Sequence, residues 1–481
     1  MAFAEPSELT DFLSANPEVE LLEVLMLDFH GLLRCKRIQK QEFNVLYSGE
    51  FSVPGTIPFL GIRGDLYDGL SLALVGGDPD RRIRPVAGTL VLVPWYESPV
   101  AQVLIEYVGD HALDADAPST GDVPALAGRS DEVSWIDPRT PLLRVLNRYR
   151  ESKLKVTVAT ELEFYLVDPT PGERPRPLLG KVPGTDRPQS GIQYCMADDL
   201  FDCDAFLEEV RAVCKVQNVP LTAIHSEFSP GQWEINTHYQ HDPVLAADHA
   251  VLLKRIVKGV ARKHGWAATF MAKPFADHAG SGLHVHVAVY DDQGQNLLAD
   301  SSPDSHEVPR LMPRLRHAVA GLAATLEQGM AIFAPNPNSY RRFKAGSFAP
   351  SGSNWGYDHR EATLRIPASA EESRRIEHRV AGADANPYLV IAAVLAGVHQ
   401  GLECPREPPE PLPREADLSD APITLPKRLE VALLKLQTGE VLTDYLGNDF
   451  VDSYTVLRQA EADDYYSQIP DIDYDWFLRA L

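Results

Sequence analysis

Several common modes of protein action are closed to this chain by what it lacks. No apolar run approaches the roughly 18 residues that a membrane-spanning helix needs, so no membrane insertion is expected. Basic residues are scarce beside acidic ones, 45 against 68. The net charge of −23 argues against nucleic acid as a partner, because phosphate contacts need a basic surface. Cysteine is sparse: Cys35, Cys195, Cys203, Cys214 and Cys404 are odd in number and show no C-x-x-C spacing. Reduced thiols in a cytoplasmic protein fit that pattern better than a disulfide frame or a zinc knuckle. No Walker A motif occurs, nor a G-x-G-x-x-G following a strand, so P-loop and Rossmann nucleotide binding have no support. Residues Met1 to Ser7 lack a basic region followed by an apolar run, and no signal peptide is expected.

What is present is ordinary globular composition, 44% hydrophobic and 23% charged, on a chain long enough for two domains. Residues 6–15 read as a helix. Val19 to Phe29 and Leu32 to Ile38 read as a hairpin around Asp28-Phe29-His30-Gly31. Phe51 to Gly64 reads as a loop, Thr89 to Val93 and Val100 to Val108 as strands, and 109–132 as an acidic surface loop. The boundary falls near residue 135, between a small strand-rich unit (1–135) and a larger one (136–481). In the larger unit Lys155 to Val167, Thr269 to Lys273 and Leu283 to Tyr290 have strand patterns. Residues 199–217, 243–264 and 308–333 have helical ones, and Asn386-Pro387 starts a further helix. The pattern is α+β.

Four constellations suggest chemistry. In Gly280-Ser281-Gly282-Leu283-His284-Val285-His286, strand alternation puts both histidines on one face. Glu161 and Glu163 alternate with Leu162 and Phe164 in the same way, and two neighbouring carboxylates need a cation between them or one must protonate. Glu227 and Glu234 flank a Pro-Gly turn close to His225, and carboxylates with an imidazole suit a hard divalent ion. Arg375, Glu377 and Arg379 alternate, and Arg341, Arg342, Arg360 and Arg365 lie nearby in the sequence as an anion-binding set. Each segment alone also fits solvent-facing charges, local hydrogen bonds or an ion-pair ladder.

Taken together and in order, these segments resemble the glutamine synthetase superfamily over nearly the whole chain. Asp28-Phe29-His30-Gly31, Pro230-Gly231-Gln232, Phe270-Met271-Ala272-Lys273-Pro274, Asn338-Ser339-Tyr340 and Ala385-Asn386-Pro387-Tyr388 belong to the match. The resemblance implies a small N-terminal β-grasp domain and a C-terminal catalytic domain of antiparallel sheet and helices. It also implies a homo-oligomer, a dodecamer of two stacked hexameric rings. Glu163, Glu227 and Glu234 would hold one metal, and Glu161, His284 and Glu377 a second, with two or three Mg²⁺ or Mn²⁺ ions per site. His286, Arg365 and Arg375 would contact ATP. Arg342, with Gly280 beside it, would hold the α-carboxylate of L-glutamate, and Arg360 and Arg379 would steady its γ-carboxylate. In this family ATP phosphorylates that carboxylate and an amine displaces the phosphate.

Departures from the family pattern bear on the amine. Glutamine synthetases carry a glutamate that helps deprotonate ammonium where this chain has Phe348, and an N-terminal aspartate where it has Phe51 to Thr56. Phenylalanine accepts no proton and favours carbon. The variant His278-Ala279-Gly280-Ser281-Gly282 looks like the γ-glutamylpolyamine synthetase branch. The expected function is therefore a γ-glutamyl-amine ligase, with a polyamine first, a monoamine or ammonia as alternatives, and a non-catalytic structural relative as a remote one.

Overall fold

The computed structural model of the protein describes residues 3–67, 70, 77–109, 133–170, 175–182, 185, 187–188, 194–299, 313–344, 348–350, 352–418 and 422–481. Two sheets carry the architecture, and aliphatic runs place both. In the first, β1 (Leu21–Leu27) is buried almost throughout and β2 (Leu33–Gln39) returns antiparallel to it. Between them Gly31 takes a positive φ of 75° at the tip of the Asp28-Phe29-His30-Gly31 turn. The remaining strands are β3 (Ser52–Pro54), β4 (Asp80–Pro85), β5 (Val91–Leu92) and β6 (Val100–Tyr107). The order is β2-β1-β6-β4-β3 with β5 on β6, and the β1–β6 pair is parallel. A parallel central pair flanked by antiparallel strands fits the β-grasp expectation.

Two expectations shift here. Part of the Phe51 to Gly64 loop is β3, which pairs Ser52 with Arg82 and ends at Pro54, where a missing N–H is tolerated. Of the Thr89 to Val93 stretch, the strand itself is Val91 and Leu92, paired with β6, and Val93 N–H adds a bond to the Val100 carbonyl. The acidic segment 110–132 lies outside the described residues.

The second sheet comprises β7 (Lys155–Asp168), β8 (Arg176–Pro177), β9 (Leu221–Ser226), β10 (Gln232–Thr237), β11 (Ala267–Thr269), β12 (Leu283–Tyr290), β13 (Trp355–Tyr357), β14 (Leu364–Ile366) and β15 (Ile376–His378). Its order is β13-β14-β15-β12-β7-β10-β9, with β8 and β11 on β7, and every pairing is antiparallel except β13–β14. Helices Thr140–Glu151, Pro243–Lys263, Pro313–Phe333 and Pro387–Glu403 supply the apolar core of this part. Asp242 and Asn386 cap two of them, accepting from Val244 and Tyr388 N–H, and each cap is followed by proline. The Pro313–Phe333 and Pro387–Glu403 helices lie so close that a Cβ on Gly321 or Gly401 would collide with the opposite backbone. The helix expected over 199–217 is two, Ala197–Asp202 and Asp204–Val216, broken at Cys203. Among the described residues no helix is long and apolar enough to cross a membrane.

Buried polar contacts fasten the first sheet to the helices of the larger unit. Arg139, fully buried, donates to the Ile105 carbonyl at 3.0 Å and to Asp248 at 3.2 Å, and Asp248 also accepts from the Tyr388 hydroxyl. Asn386 donates to the carbonyls of Asp28 and Phe29 at 3.3 Å, and a Cβ on Gly31 would press to 2.9 Å from Asn386 Cα. Glu461, on the helix Asn448–Ser467, accepts from His30 and from Ile62 N–H, each at 2.7 Å, and from Arg458 at 2.6 Å.

Burial would raise the Glu461 carboxyl, yet Arg458 and His30 win and hold it at about 2. A depressed carboxylate stabilises the fold above its unfolded value of 4.5, and that contribution fades as pH falls toward 2. Glu461→Gln is therefore expected to cost about 1–3 kcal/mol at pH 7, with the deficit more than halved at pH 3, as read by denaturant melts. A deficit that stays constant from pH 7 to pH 3 would contradict the assignment.

Candidate active site

Strand register draws the charged residues into one patch on the open face of the second sheet. On β7, Leu162 and Phe164 are buried at 0% exposure, so Glu161 and Glu163 project from the other face. Antiparallel pairing sets Glu234 of β10 opposite Glu163, and His284 of β12 opposite Glu161. One strand further out, His225 of β9 opposes Glu234 and Glu377 of β15 opposes His286. Arg365 of β14 then opposes Glu377.

The side chains converge accordingly. Glu161 meets His284 Nδ1 at 3.1 Å and His286 Nε2 at 2.8 Å, and accepts from Asn236 at 3.2 Å. Glu163 accepts from Gly282 N–H at 2.9 Å and Gln232 at 3.3 Å, and lies 3.6 Å from His284 Nε2. Three groups have ligand atoms within 4.8 Å of one another: Glu161, His286 and Glu377; Glu161, Glu234 and His284; and His225, Glu227 and Glu234. Arg375 donates to His286 Nδ1 at 3.2 Å. That leaves the imidazole proton on Nε2, so His286 serves as a donor rather than a lone-pair ligand in this tautomer.

The electrostatics test whether divalent ions fit. Burial, and then the charges of Glu161, Glu163 and Glu227, push Glu234 up to about 10. Burial also raises Glu163. Burial works against ionisation of Glu377 too, but Arg379, His286 and His284 hold it at about 2. So many buried carboxylates ionise together only when added positive charge lies between them, and oxygen donors with an imidazole suit Mg²⁺ or Mn²⁺. The residues therefore fit the divalent metals that the family resemblance implies.

The remaining candidates spread around this cluster. Arg365 donates to Glu377 at 2.7 Å and Asp358 at 2.8 Å, and Arg379 donates to Glu377 from the other side. Arg342 is buried and donates to the carbonyls of Val380, Ala381 and Arg379 at 2.7, 3.2 and 3.3 Å. A Cβ on Gly280 would lie 2.7 Å from the Ala272 carbonyl oxygen and against Arg342, which is why the loop is glycine there. Two residues stand at the rim. Arg360 is exposed and, among the described residues, makes no hydrogen bond to the glutamates, though its charge reaches Tyr194. Phe348 is 52% exposed and its ring meets Phe228 edge-on at 5.6 Å.

Reasoning from the sequence noted His225 beside Glu227 and Glu234 but assigned it to neither metal, and it missed Asn236 and Gln232 as members of the site. His225 sits two residues before Glu227, the spacing that had singled out the other pairs. Asn236 and Gln232 alternate with Glu234 along β10 and were readable from the same rule. A separate cavity of about 770 Å³ opens between the two sheets' supporting elements, lined by Trp95, Lys254, Lys258, Arg262 and Phe270. None of the candidate site residues lines it.

Residues 135–477 match the glutamine synthetase catalytic domain. The chain is 32% identical over 480 residues to γ-glutamylputrescine synthetase PuuA of Escherichia coli (strain K12), covering 98% of this chain and 94% of that protein. It is 30% identical over 456 residues to glutamate–isopropylamine ligase of a Pseudomonas species, covering 94% and 93%. A solved structure of a GmaS/ADP complex superposes with a TM-score of 0.78 at 24% identity, covering 97% of this chain and 98% of that one, and shares the fold.

Glu161 belongs to two of the three ligand groups, so Glu161→Gln is expected to weaken Mn²⁺ binding at least tenfold, measured by calorimetric titration. Turnover should fall with it. Unchanged affinity would remove Glu161 from the metal site.

Proposed function

The chain belongs to the glutamine synthetase family and is an ATP-dependent glutamate–amine ligase, and we propose that its amine is organic, with a polyamine as the leading substrate. Its Escherichia coli relative is named for putrescine. The observation that carries the reading is Phe348. An apolar, half-exposed ring stands at the rim where the family resemblance expects a proton-accepting glutamate, near a carboxylate–imidazole cluster whose ligand atoms gather in three groups. A phenyl ring takes no proton from ammonium and gains by covering carbon.

The remaining roles follow from chemistry. Glu163, Glu227 and Glu234 would hold one divalent ion and Glu161, His284 and Glu377 another, with Mg²⁺ or Mn²⁺ as the ion and two or three per site. Such ions, when bound, supply charge neutralisation for the transferring phosphoryl group. His286, Arg365 and Arg375 would face the ATP phosphates. Arg342 would take the α-carboxylate of L-glutamate in the space that Gly280 leaves, and Arg360 and Arg379 would steady the γ-carboxylate. A γ-carboxylate oxygen then accepts the γ-phosphoryl group and ADP leaves. The amine nitrogen attacks the acyl carbon, and phosphate departs with the oxygen that carried it. A dodecamer of two hexameric rings, a β-grasp unit over 1–135, a catalytic unit over 136–481 and a cytoplasmic location belong to the same proposal, on the support of the family alone.

Phosphate release with ATP, Mg²⁺ and L-glutamate across ammonia, putrescine, spermidine, ethanolamine and alkyl monoamines tests this. At least a tenfold higher kcat/KM for an organic amine than for ammonia is expected. Activity with ammonia alone would make the protein a glutamine synthetase.

A further inference from the structure

Resting on the reading that the amine is organic, we propose that Phe228 and Phe348 together form the wall on which the amine's carbon chain packs. Phe228 then joins Phe348 as a residue that sets amine preference, and the substrate class is a primary amine with an uncharged, apolar chain next to its reacting nitrogen.

Three observations lead here. First, both rings are exposed, Phe228 at 38% and Phe348 at 52%, and they lie side by side with centroids 5.6 Å apart. Adjoining exposed phenyl rings offer apolar surface that a ligand's carbon chain can cover. Second, the pair is anchored to the reacting centre. The Phe228 N–H donates to Glu227 Oε2 at 2.9 Å, while the other Glu227 oxygen meets His225 at 3.3 Å. Third, the two rings come from separate segments, the β9–β10 turn and the stretch before β13, which meet at this rim. Tyr194 adds a third ring close by, edge-on to His225 at 6.1 Å. A primary ammonium approaching these rings is favoured by their quadrupoles. Its carbon chain would leave water along the phenyl pair.

Each methylene taken out of water strengthens binding about fourfold. The test is kcat/KM for a homologous series, methylamine to pentylamine, beside ammonia and the diamines from 1,3-diaminopropane to cadaverine. The enzymes are wild type, Phe228→Ala, Phe348→Ala and Phe228→Leu. Wild type should gain severalfold per methylene in at least one series. Both alanine variants should flatten that gain and lower the ratio of the best organic amine to ammonia at least tenfold. Phe228→Leu should retain more of the ratio than Phe228→Ala. A general loss of activity that leaves the slope and ratio unchanged would overturn the wall while the organic-amine reading stands. Wild type acting on ammonia alone would overturn both.

Discussion

Like-charge crowding is the constraint that this structure is built around. Glu161, Glu163, Glu227 and Glu234 converge on one face of a sheet, where burial and mutual repulsion drive Glu234 up to about 10. Placing such a group is unfavourable unless something cationic shares it. The protein answers with fixed positive charge that is densest around Glu377, while Arg342 favours the ionised form of Glu163. Arg365 and Arg379 clamp Glu377, which stays ionised, whereas Glu234, crowded by Glu161, Glu163 and Glu227, is pushed up and marks where divalent ions fit best. Charge is thus graded across the sheet, from arginine-compensated carboxylate to carboxylate that needs a metal.

The fold serves that gradient. Register across five antiparallel strands, β9, β10, β7, β12 and β15, determines which carboxylate meets which imidazole, and a slip of one residue would turn the whole set into the core. Rigidity comes from behind, where glycine-mediated helix contact and capped helix starts leave little room for the sheet to shift. The seam through Asn386, Gly31, Arg139 and Glu461 holds the N-terminal sheet against this scaffold.

Much of this was legible in the sequence because period-2 alternation has a direct geometric meaning. Glu161 with Glu163, and His284 with His286, share a face for that reason alone. The hairpin at Asp28-Phe29-His30-Gly31 was readable because its Gly31 needs a positive φ. What stayed hidden depends on pairing between distant segments. His225 could be named beside Glu227, but its place opposite Glu234 arises only when β9 lies beside β10, and β3 exists only because β4 offers it a partner. The break at Cys203 was hidden by helical patterns on both sides of it. The meeting of Phe228 with Phe348 joins residues 120 positions apart in number (348 − 228), which no local pattern reports.

The central claim is that glutamate is activated as an acyl phosphate before an organic amine displaces it. The most direct measurement is isotope transfer: L-glutamate labelled with ¹⁸O in its γ-carboxylate, incubated with ATP, Mg²⁺ and the preferred amine, with mass spectrometry of both products. One ¹⁸O in each released phosphate, together with a γ-glutamyl amide carrying the organic amine, is the result expected. Unlabelled phosphate would mean that ATP is hydrolysed by water without activating glutamate, and would contradict the claim.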